Sequence, residues 1–264
     1  MDAGGGCFEG ADVCASSPQR LRVARWVPKA VADWLRWLAE GDEAAPGLFR
    51  LLADEQRKAA NCEDQNEAAR ARRWAARLRE ELRYVEALAA DIRMREAYEL
   101  AASSARDEYL LVTLFDAVRW AAFDYGYARS QWATAAALRS DIERLAQQMA
   151  RKLAAAEALD CIPRDARSTF EFGAAALREL TERLREIDLT PKRYAERDMA
   201  AAAVASRKAN GKAEFLRALR WAVDRDDARD DILRLPRLNR VVAACASVLT
   251  GEDVSEDDVR NHLR

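Results

Sequence analysis

The sequence predicts an all-α protein, and three observations predict it. Only 10 of the 264 residues are Gly and 6 are Pro, so few positions oppose a helix. The chain is 50% hydrophobic and 33% charged, a mixture that suits amphipathic helices. Apolar residues recur in steps of three and four along most of the chain, which is helical spacing. The expected fold is an elongated antiparallel helical bundle with coiled-coil-like seams, followed by a small C-terminal helical module.

The chain is expected to divide into three parts. Residues 1–18 are rich in Gly and Ser, show neither the basic nor the apolar region of a signal peptide, and are predicted to be disordered. Residues 19–189 are predicted to form the helical bundle and residues 190–264 the C-terminal helical module. The apolar run around 110–125 is interrupted by Asp116, Arg119 and Asp124, which argues against a membrane span. The sequence therefore predicts a cytoplasmic protein with no membrane partner.

The bundle is expected to begin with a helix near Pro28, because Pro is favoured in the first turn of a helix. A loop is predicted over 41–47, and the next helix opens at 48–52. The segment 64–102 contains no Gly or Pro and carries the first heptad seam. The seam residues are Ala68, Ala71, Ala75, Leu78, Leu82, Val85, Ala89 and Ile92.

Two further seams follow, over 135–159 and 170–187, with Pro163 between them. Seams of similar length separated by short polar breaks are expected to fold back on one another as antiparallel helices. Such seams also pair between two chains, so the sequence allows a homodimer as well. The second seam consists of Ala135, Leu138, Ile142, Leu145, Met149, Ala156 and Leu159.

The C-terminal module is predicted to hold four helices. An Ala-rich helix over 191–209 would run from Thr190-Pro191 to a C-cap at Asn210-Gly211. Three shorter helices are expected at 212–223, 236–249 and 255–263. Ser255 and Asp258 have the spacing of a capping box at the start of the last helix.

A helix expected over 107–125, starting at a capping box of Ser103-Ser104 with Asp107 and ending near Gly126, has two unlike faces. One face is apolar and is predicted to lie in the core. The opposite face combines aromatic and acidic residues, which suits a surface that meets a partner better than a solvated face. This stripe consists of Tyr109, Thr113, Asp116, Trp120, Asp124 and Tyr127, with Arg119 beside it, and all of these except Thr113 are predicted to contact the partner. The alternative is that the stripe packs inside the bundle, with Asp116 and Arg119 as a local ion pair.

An arginine-rich segment lies within the first seam helix. Arg70, Arg73 and Arg77 share one face, which could follow a phosphate backbone. The segment also contains Arg72, Arg79 and Arg83. Glu67, Glu80 and Glu81 interrupt it and are expected to form i,i+4 pairs with its arginines. Nucleic acid is therefore the alternative partner.

An acidic cluster spans Asp224–Asp231. Pairs of carboxylates three or four residues apart on a helix can bind Mg²⁺ together with substrate phosphates. The sequence from Asp226 to Asp230 resembles the Asp-Asp-x-x-Asp motif of all-α isoprenoid synthases. This resemblance implies a magnesium-dependent enzyme. Arg225 and Arg229 lie within the cluster, and no second motif accompanies it. A solvated linker or an N-cap cluster is therefore the expected interpretation.

Little else in the sequence indicates catalysis. His262 is the single histidine, which argues against His-rich metal sites and Ser-His-Asp triads. The five cysteines are scattered without a CxxC pair, so free thiols are expected. We therefore predict no catalytic residues, no metal and no cofactor. The predicted function is that of a non-enzymatic interaction or adaptor protein that binds another protein through the aromatic-acidic stripe.

Overall fold

The computed structural model describes residues 19–206 and 208–263, and within these ranges the chain folds into thirteen α-helices and no β-strand. The prediction of an all-α helical bundle is confirmed. No helix in these ranges has both the length and the apolar composition that crossing a membrane requires. In chain order the helices are α1 Lys29–Glu40, α2 Leu48–Asn61, α3 Gln65–Ala90, α4 Met94–Ser104, α5 Glu108–Ala121, α6 Tyr125–Glu157, α7 Arg164–Glu186, α8 Pro191–Tyr194, α9 Met199–Val204, α10 Gly211–Val223, α11 Arg229–Leu233, α12 Leu238–Thr250 and α13 Glu256–Leu263.

The chain forms two compact units, one running up to Ala90 and the other beginning at Asp91. Residues 1–18, for which we predicted disorder, lie outside the described residues. The predicted division into a bundle over 19–189 and a module over 190–264 stays a prediction.

In the first unit, α1 packs against α2 and α3, and α2 lies along α3. The predicted seam is the buried face of α3 as far as Ala89, which confirms that part of the prediction. The helix ends at Ala90 and not at residue 102. The Asp91 carboxylate accepts a hydrogen bond from the backbone N–H of Arg93, a local turn that competes with the helix. As a result Ile92 is exposed, although we predicted it to be part of the seam.

The core of the second unit is built around α10, which packs against α5, α9, α12 and α13. Phe215, Leu216 and Leu219 of α10 are completely buried. Beside them, the rings of Tyr98 in α4 and Phe115 in α5 lie 4.4 Å apart between centroids. The three short helices predicted for the C-terminal region correspond to α10, α12 and α13, and each begins within two residues of its predicted start.

The helix predicted over 191–209 is wrong, because this segment forms the two short helices α8 and α9. The Asp198 carboxylate accepts a hydrogen bond from the backbone N–H of Ala201 and caps α9, so it starts a new helix where we expected a continuous one. Asn210 is the N-cap of α10 and not a C-cap, since its side chain accepts from Ala213 N at 3.1 Å. Asn is favoured at both ends of helices, and the sequence does not distinguish them.

Helices α6 and α7 form an antiparallel hairpin in the second unit, as predicted for the second and third seams. The guanidinium of Arg185 donates to the Glu143 carboxylate at 2.7 Å. Further along, a Cβ on Gly173 would lie 3.1 Å from Leu153 Cδ1, so the two helices approach closely there. The face of α6 toward α7 is formed by the small residues Ala146 and Ala150, which are buried.

The second seam is not buried within the chain, which contradicts our expectation for it. All five of its large side chains are between 47% and 56% exposed. They are Leu138, Ile142, Leu145 and Met149 of α6 and Leu159, which follows the helix. The alanines of α6 permit a closer helix approach than this seam would, and they form the contact with α7 instead.

The capping box at the start of α13 is confirmed. Backbone N–H and hydroxyl of Ser255 donate to the Asp258 carboxylate at 3.0 and 2.8 Å, and Asp258 N donates back to the hydroxyl at 3.1 Å. Lys212 Nζ of α10 donates to the same carboxylate at 3.1 Å. The bonds from Ser255, supported by Lys212, lower the pKa of Asp258 to about 2.

This pKa predicts an acid-sensitive contribution of Asp258 to stability. Because the pKa is below its ordinary value of 3.8, the ionised carboxylate stabilises the folded chain above that pH and loses its effect as the pH falls toward 2. We therefore expect Asp258→Asn to lower the free energy of unfolding at pH 6 and to have little effect at pH 2. Urea unfolding at both pH values measures this. The control is Asp257→Asn, which changes an exposed neighbour; an equal pH dependence in both variants would contradict the assignment.

Candidate protein-binding surface

Helix α5 presents its apolar side to the core of the second unit. Its N-cap is Asp107, whose carboxylate accepts from Leu110 N at 2.8 Å. The predicted capping serines instead close α4, since the hydroxyls of Ser103 and Ser104 donate to the Leu100 carbonyl. The buried side of α5 includes Leu110, Leu111, Leu114, Phe115 and Val118, which confirms the predicted core face.

The opposite side of α5 is exposed, so the predicted stripe does not pack inside its own unit. Tyr109 is 71% exposed and Trp120 is 54% exposed. The Asp116 side chain lies on the same side and is 38% exposed. Most large aromatic side chains in folded proteins are largely buried, whereas a half-exposed Trp leaves a large apolar surface in contact with water.

Arg119 fixes the geometry on this side of α5. Its side chain is only 7% exposed, and its Nε and Nη2 donate to Asp116 Oδ1 at 3.2 and 3.1 Å. The guanidinium carbon lies 4.4 Å from the centroid of the Trp120 ring, within range of a cation–π interaction. We call Asp116, Arg119 and Trp120 the Trp120 cluster. The Asp116–Arg119 ion pair of the alternative interpretation is therefore present, but it supports an exposed indole and not a buried stripe.

The remaining two stripe residues do not lie on α5. The helix ends at Ala121, and Asp124 is the N-cap of α6, with its carboxylate accepting from Tyr127 N at 2.8 Å. The hydroxyl of Tyr125 donates to the Ala121 carbonyl at the end of α5. Our prediction of one continuous helix to Tyr125 is therefore wrong. Asp is unfavourable in the interior of a helix but favourable at its N-cap, because its carboxylate accepts hydrogen bonds from the free backbone N–H groups of the first turn.

This break changes the role of Asp124 and leaves Tyr127 exposed. The Asp124 carboxylate is engaged by the backbone, so it orients the first turn of α6. The Tyr127 ring is 47% exposed in that turn. Of the six predicted residues, the structure thus joins Asp116, Arg119 and Trp120 in direct contact, with Tyr109 on the same side of α5.

The arginine-rich face lies on α3 in the first unit. Arg70, Arg73 and Arg77 are all exposed, and Trp74 lies among them. The guanidinium carbon of Arg77 is 5.5 Å from the Trp74 ring centroid. Among the residues that the structure describes, no salt bridge joins these three arginines to a carboxylate. Of the pairs predicted for Glu67, Glu80 and Glu81, Glu80 forms one with Arg83 of the same segment, at i,i+3 spacing and not i,i+4, and Glu80 also accepts a hydrogen bond from Tyr84.

The acidic cluster Asp224–Asp231 is dispersed. Asp224 binds Arg220 and Arg229 at 3.4 and 3.0 Å. The Asp226 carboxylate accepts from Ala228 N, which makes it a turn residue. Over the described ranges, no three His, Cys, Asp or Glu side chains come together in a way that could hold a metal ion.

Of the cysteines, Cys7 and Cys14 lie outside the described residues, and the other three are free. Burial raises the pKa of the Cys245 thiol to about 12, which keeps it protonated and unreactive. Cys62 is partly exposed and Cys161 is exposed.

Sequence reasoning missed an ion pair that positions the base of the hairpin. Arg129 in the second turn of α6 binds Glu214 of α10, with Nε to Oε1 at 2.7 Å, and Glu214 is 3% exposed. The same guanidinium donates to the carbonyls of Ser206 and Lys208 at 2.8 and 3.0 Å. Glu214 lies in the first turn of α10, where a carboxylate is also favoured by the helix dipole. The two residues are 85 apart in sequence, and no local pattern connects them.

Comparison with models of known protein families, with curated proteins and with solved structures gives no match to this chain.

Proposed function

We propose that this chain is a non-enzymatic interaction protein that binds another protein through the exposed side of α5. Its contact residues are Tyr109, Asp116 and Trp120, with Arg119 as support and Tyr127 of α6 at the margin. The observation that carries the proposal is a half-exposed Trp120 held by a buried arginine. The proposed site of action is the cytoplasm, the compartment that the sequence predicts.

The Trp120 cluster is constrained before a partner binds, which lowers the entropic cost of binding. Immobilising a flexible side chain at an interface costs about 0.5–1.5 kcal/mol. Trp120 is already constrained by Arg119, which is itself constrained by Asp116. Trp, Tyr and Arg are also the residue types that dominate the energetic centres of protein interfaces. A partner that covers the indole therefore gains apolar burial at a low entropic cost.

The partner is expected to offer an apolar pocket with hydrogen-bond acceptors or a cation at its edge. The indole fills such a pocket, and the partly exposed Asp116 carboxylate can accept from a basic side chain at the margin. Tyr109 supplies a second aromatic ring with a hydroxyl that both donates and accepts.

We expect Trp120→Ala to reduce capture of the partner at least tenfold, because truncating a central aromatic residue costs about 2 kcal/mol or more at an interface. The test compares the full-length chain, Trp120→Ala and Trp74→Ala as baits in lysate of the source organism, with quantitative mass spectrometry. Trp74 is a matched control, since it is 47% exposed and also lies beside an arginine. A protein captured equally by all three baits does not use the Trp120 cluster, and finding only such proteins would contradict the proposal.

A second candidate function, binding to nucleic acid, is favoured by the three exposed arginines around Trp74 on α3. Guanidinium groups without carboxylate partners are available to phosphates, and an exposed indole can stack on a base. In this case the predicted contacts are Arg70, Arg73 and Arg77.

For this candidate we expect weak, salt-dependent binding to single-stranded DNA or RNA. Replacing Arg70, Arg73 and Arg77 by Gln should reduce the slope of log K against log salt by about two, since each lost phosphate contact on a single strand contributes about 0.7. Fluorescence anisotropy across a salt series measures the slope. The matched control changes Arg36, Arg57 and Arg83 to Gln, because these arginines of the same unit have carboxylate partners. Binding that is absent at low salt, or equally weakened in the control, would exclude this function.

A further inference from the structure

The α6–α7 hairpin carries an apolar face that its own unit does not cover. On α6 it consists of Leu138, Ile142, Leu145 and Met149, which are half exposed. At 3.6 residues per turn these four side chains fall within about 60° of one another, about a quarter turn from the buried Ala146 and Ala150. Their spacing of four, three and four is that of a coiled-coil seam.

Helix α7 extends this face. Leu180 of α7 and Ile187, the C-cap residue that follows it, are each 41% exposed and are seven residues apart. They lie about a third of a turn from the buried Ala174 and Thr181, which face α6. On both helices, the step from the buried side to these exposed residues is a rotation against the direction in which successive residues advance. In an antiparallel pair, two rotations of this common sense point to the same side of the hairpin. We therefore place both residues on the side that carries the α6 seam, and call the six residues the hairpin face.

We infer that the hairpin face is the contact between two copies of this chain, which pair their hairpins into a four-helix bundle. A seam with heptad spacing is complemented by helices of the same period, and the comparable seam of α3 is already buried within its own unit. Two hairpins packed face to face give the simplest closed arrangement in which both apolar faces are covered.

The hairpin offers enough area around this face for a stable dimer. From Leu138 to Met149 the face spans about 17 Å along α6, and two helices side by side are about 20 Å wide, so the face itself covers about 350 Å², the size of an apolar patch that marks an interaction site. Two hairpins packed along the full length of α7, about 35 Å for its 23 residues, add the polar margins and bury about 700 Å² per copy, close to the roughly 800 Å² that each partner contributes to a standard interface. This inference is independent of the proposed function, which uses α5.

The charges beside the face favour one orientation of the two copies. Asp141 lies on the outer edge of α6 and Arg183 on the outer edge of α7, and the Glu143–Arg185 contact places them within about one helical turn along the hairpin. When the twofold axis runs along the hairpin, α6 of one copy lies across α7 of the other. Asp141 then faces Arg183 of the second copy, twice by symmetry. Each also pairs within its own helix, Asp141 with Arg144 and Arg183 with Glu179, but both side chains are more than half exposed and can interact across the interface as well.

Sedimentation equilibrium of the full-length chain tests this inference. We expect the mass of two 29.6 kDa chains at micromolar concentration. Leu145→Glu and Met149→Glu should each raise the dimer dissociation constant at least 100-fold, because each change occurs twice in the interface. Ile92→Glu is the matched control, since Ile92 is an exposed apolar residue outside the hairpin, and it should leave the dimer unchanged. Circular dichroism spectra checked for equal helicity show that the variants are folded.

A charge reversal tests the orientation. Asp141→Arg and Arg183→Asp should each weaken the dimer at least threefold, and the double variant should restore it. A monomeric wild-type chain, or a dimer that tolerates both glutamate substitutions, would overturn the inference. A double variant weaker than both single variants would overturn the proposed twofold axis.

Discussion

Arg129→Leu is expected to lower the free energy of unfolding by about 3–5 kcal/mol, since it leaves the Glu214 carboxylate buried without its cation. The carbonyls of Ser206 and Lys208 lose their donor as well. Urea unfolding followed by circular dichroism measures the change. The double variant Arg129→Leu/Glu214→Leu should recover at least half of the loss, because it removes the uncompensated charge.

Arg144→Leu is the control for this prediction. Arg144 is also on α6, but its pair with Asp141 is exposed, so its removal should cost less than about 1 kcal/mol. Equal effects of Arg129→Leu and Arg144→Leu would show that the Arg129–Glu214 pair does not hold α6 to α10.

Phe215→Ala is expected to have a similarly large effect, lowering the free energy of unfolding by about 3–5 kcal/mol. The Phe215 ring is completely buried in α10, the helix that contacts α5, α9, α12 and α13. Its removal leaves a cavity where these helices meet, and their backbones cannot all close around it. The same urea measurement applies.

The control is the same substitution at Phe172, whose side chain is 78% exposed on α7. Phe172→Ala should change the stability by no more than about 0.5 kcal/mol. A loss below about 1 kcal/mol for Phe215→Ala would contradict the placement of α10 at the centre of the second unit.

The sequence predicts the helices of this fold well and their partners less well. The periodicity of α3, the boundaries near α10, α12 and α13, and the Ser255–Asp258 capping box all follow from local patterns, and the structure confirms them. The breaks at 91–93 and 122–124 were missed. There Asp91 and Asp124 use their carboxylates to satisfy backbone donors, a choice that depends on surroundings that periodicity does not report.

The burial of α6 shows why a seam does not identify its own partner. Leu138, Ile142 and Leu145 have the spacing of a buried coiled coil, yet the contact with α7 uses Ala146 and Ala150. Small and large apolar residues occupy neighbouring stripes of this Ala-rich helix, and either stripe satisfies the period of a helix. Only the packed chain shows which stripe is used.

Helical spacing predicted which residues share the candidate surface, but not how they are packed. Tyr109, Asp116 and Trp120 share a helical face by their spacing, and the structure places them on one exposed side of α5. The support by Arg119 was predictable as an i,i+3 pair with Asp116, but its burial against the Trp120 ring was not. Arg129 and Glu214 are far apart in sequence, so their pairing follows only from the tertiary fold.

The central claim is that Trp120 is the principal contact with a protein partner. The most direct test first identifies and purifies the partner that the wild-type chain captures. Isothermal titration calorimetry then measures the binding of that partner to the wild-type chain, to Trp120→Ala and to Trp74→Ala. We predict that Trp120→Ala raises Kd by about 30-fold or more, corresponding to about 2 kcal/mol, and that Trp74→Ala leaves Kd unchanged. Equal Kd values for the wild-type chain and Trp120→Ala would contradict the claim.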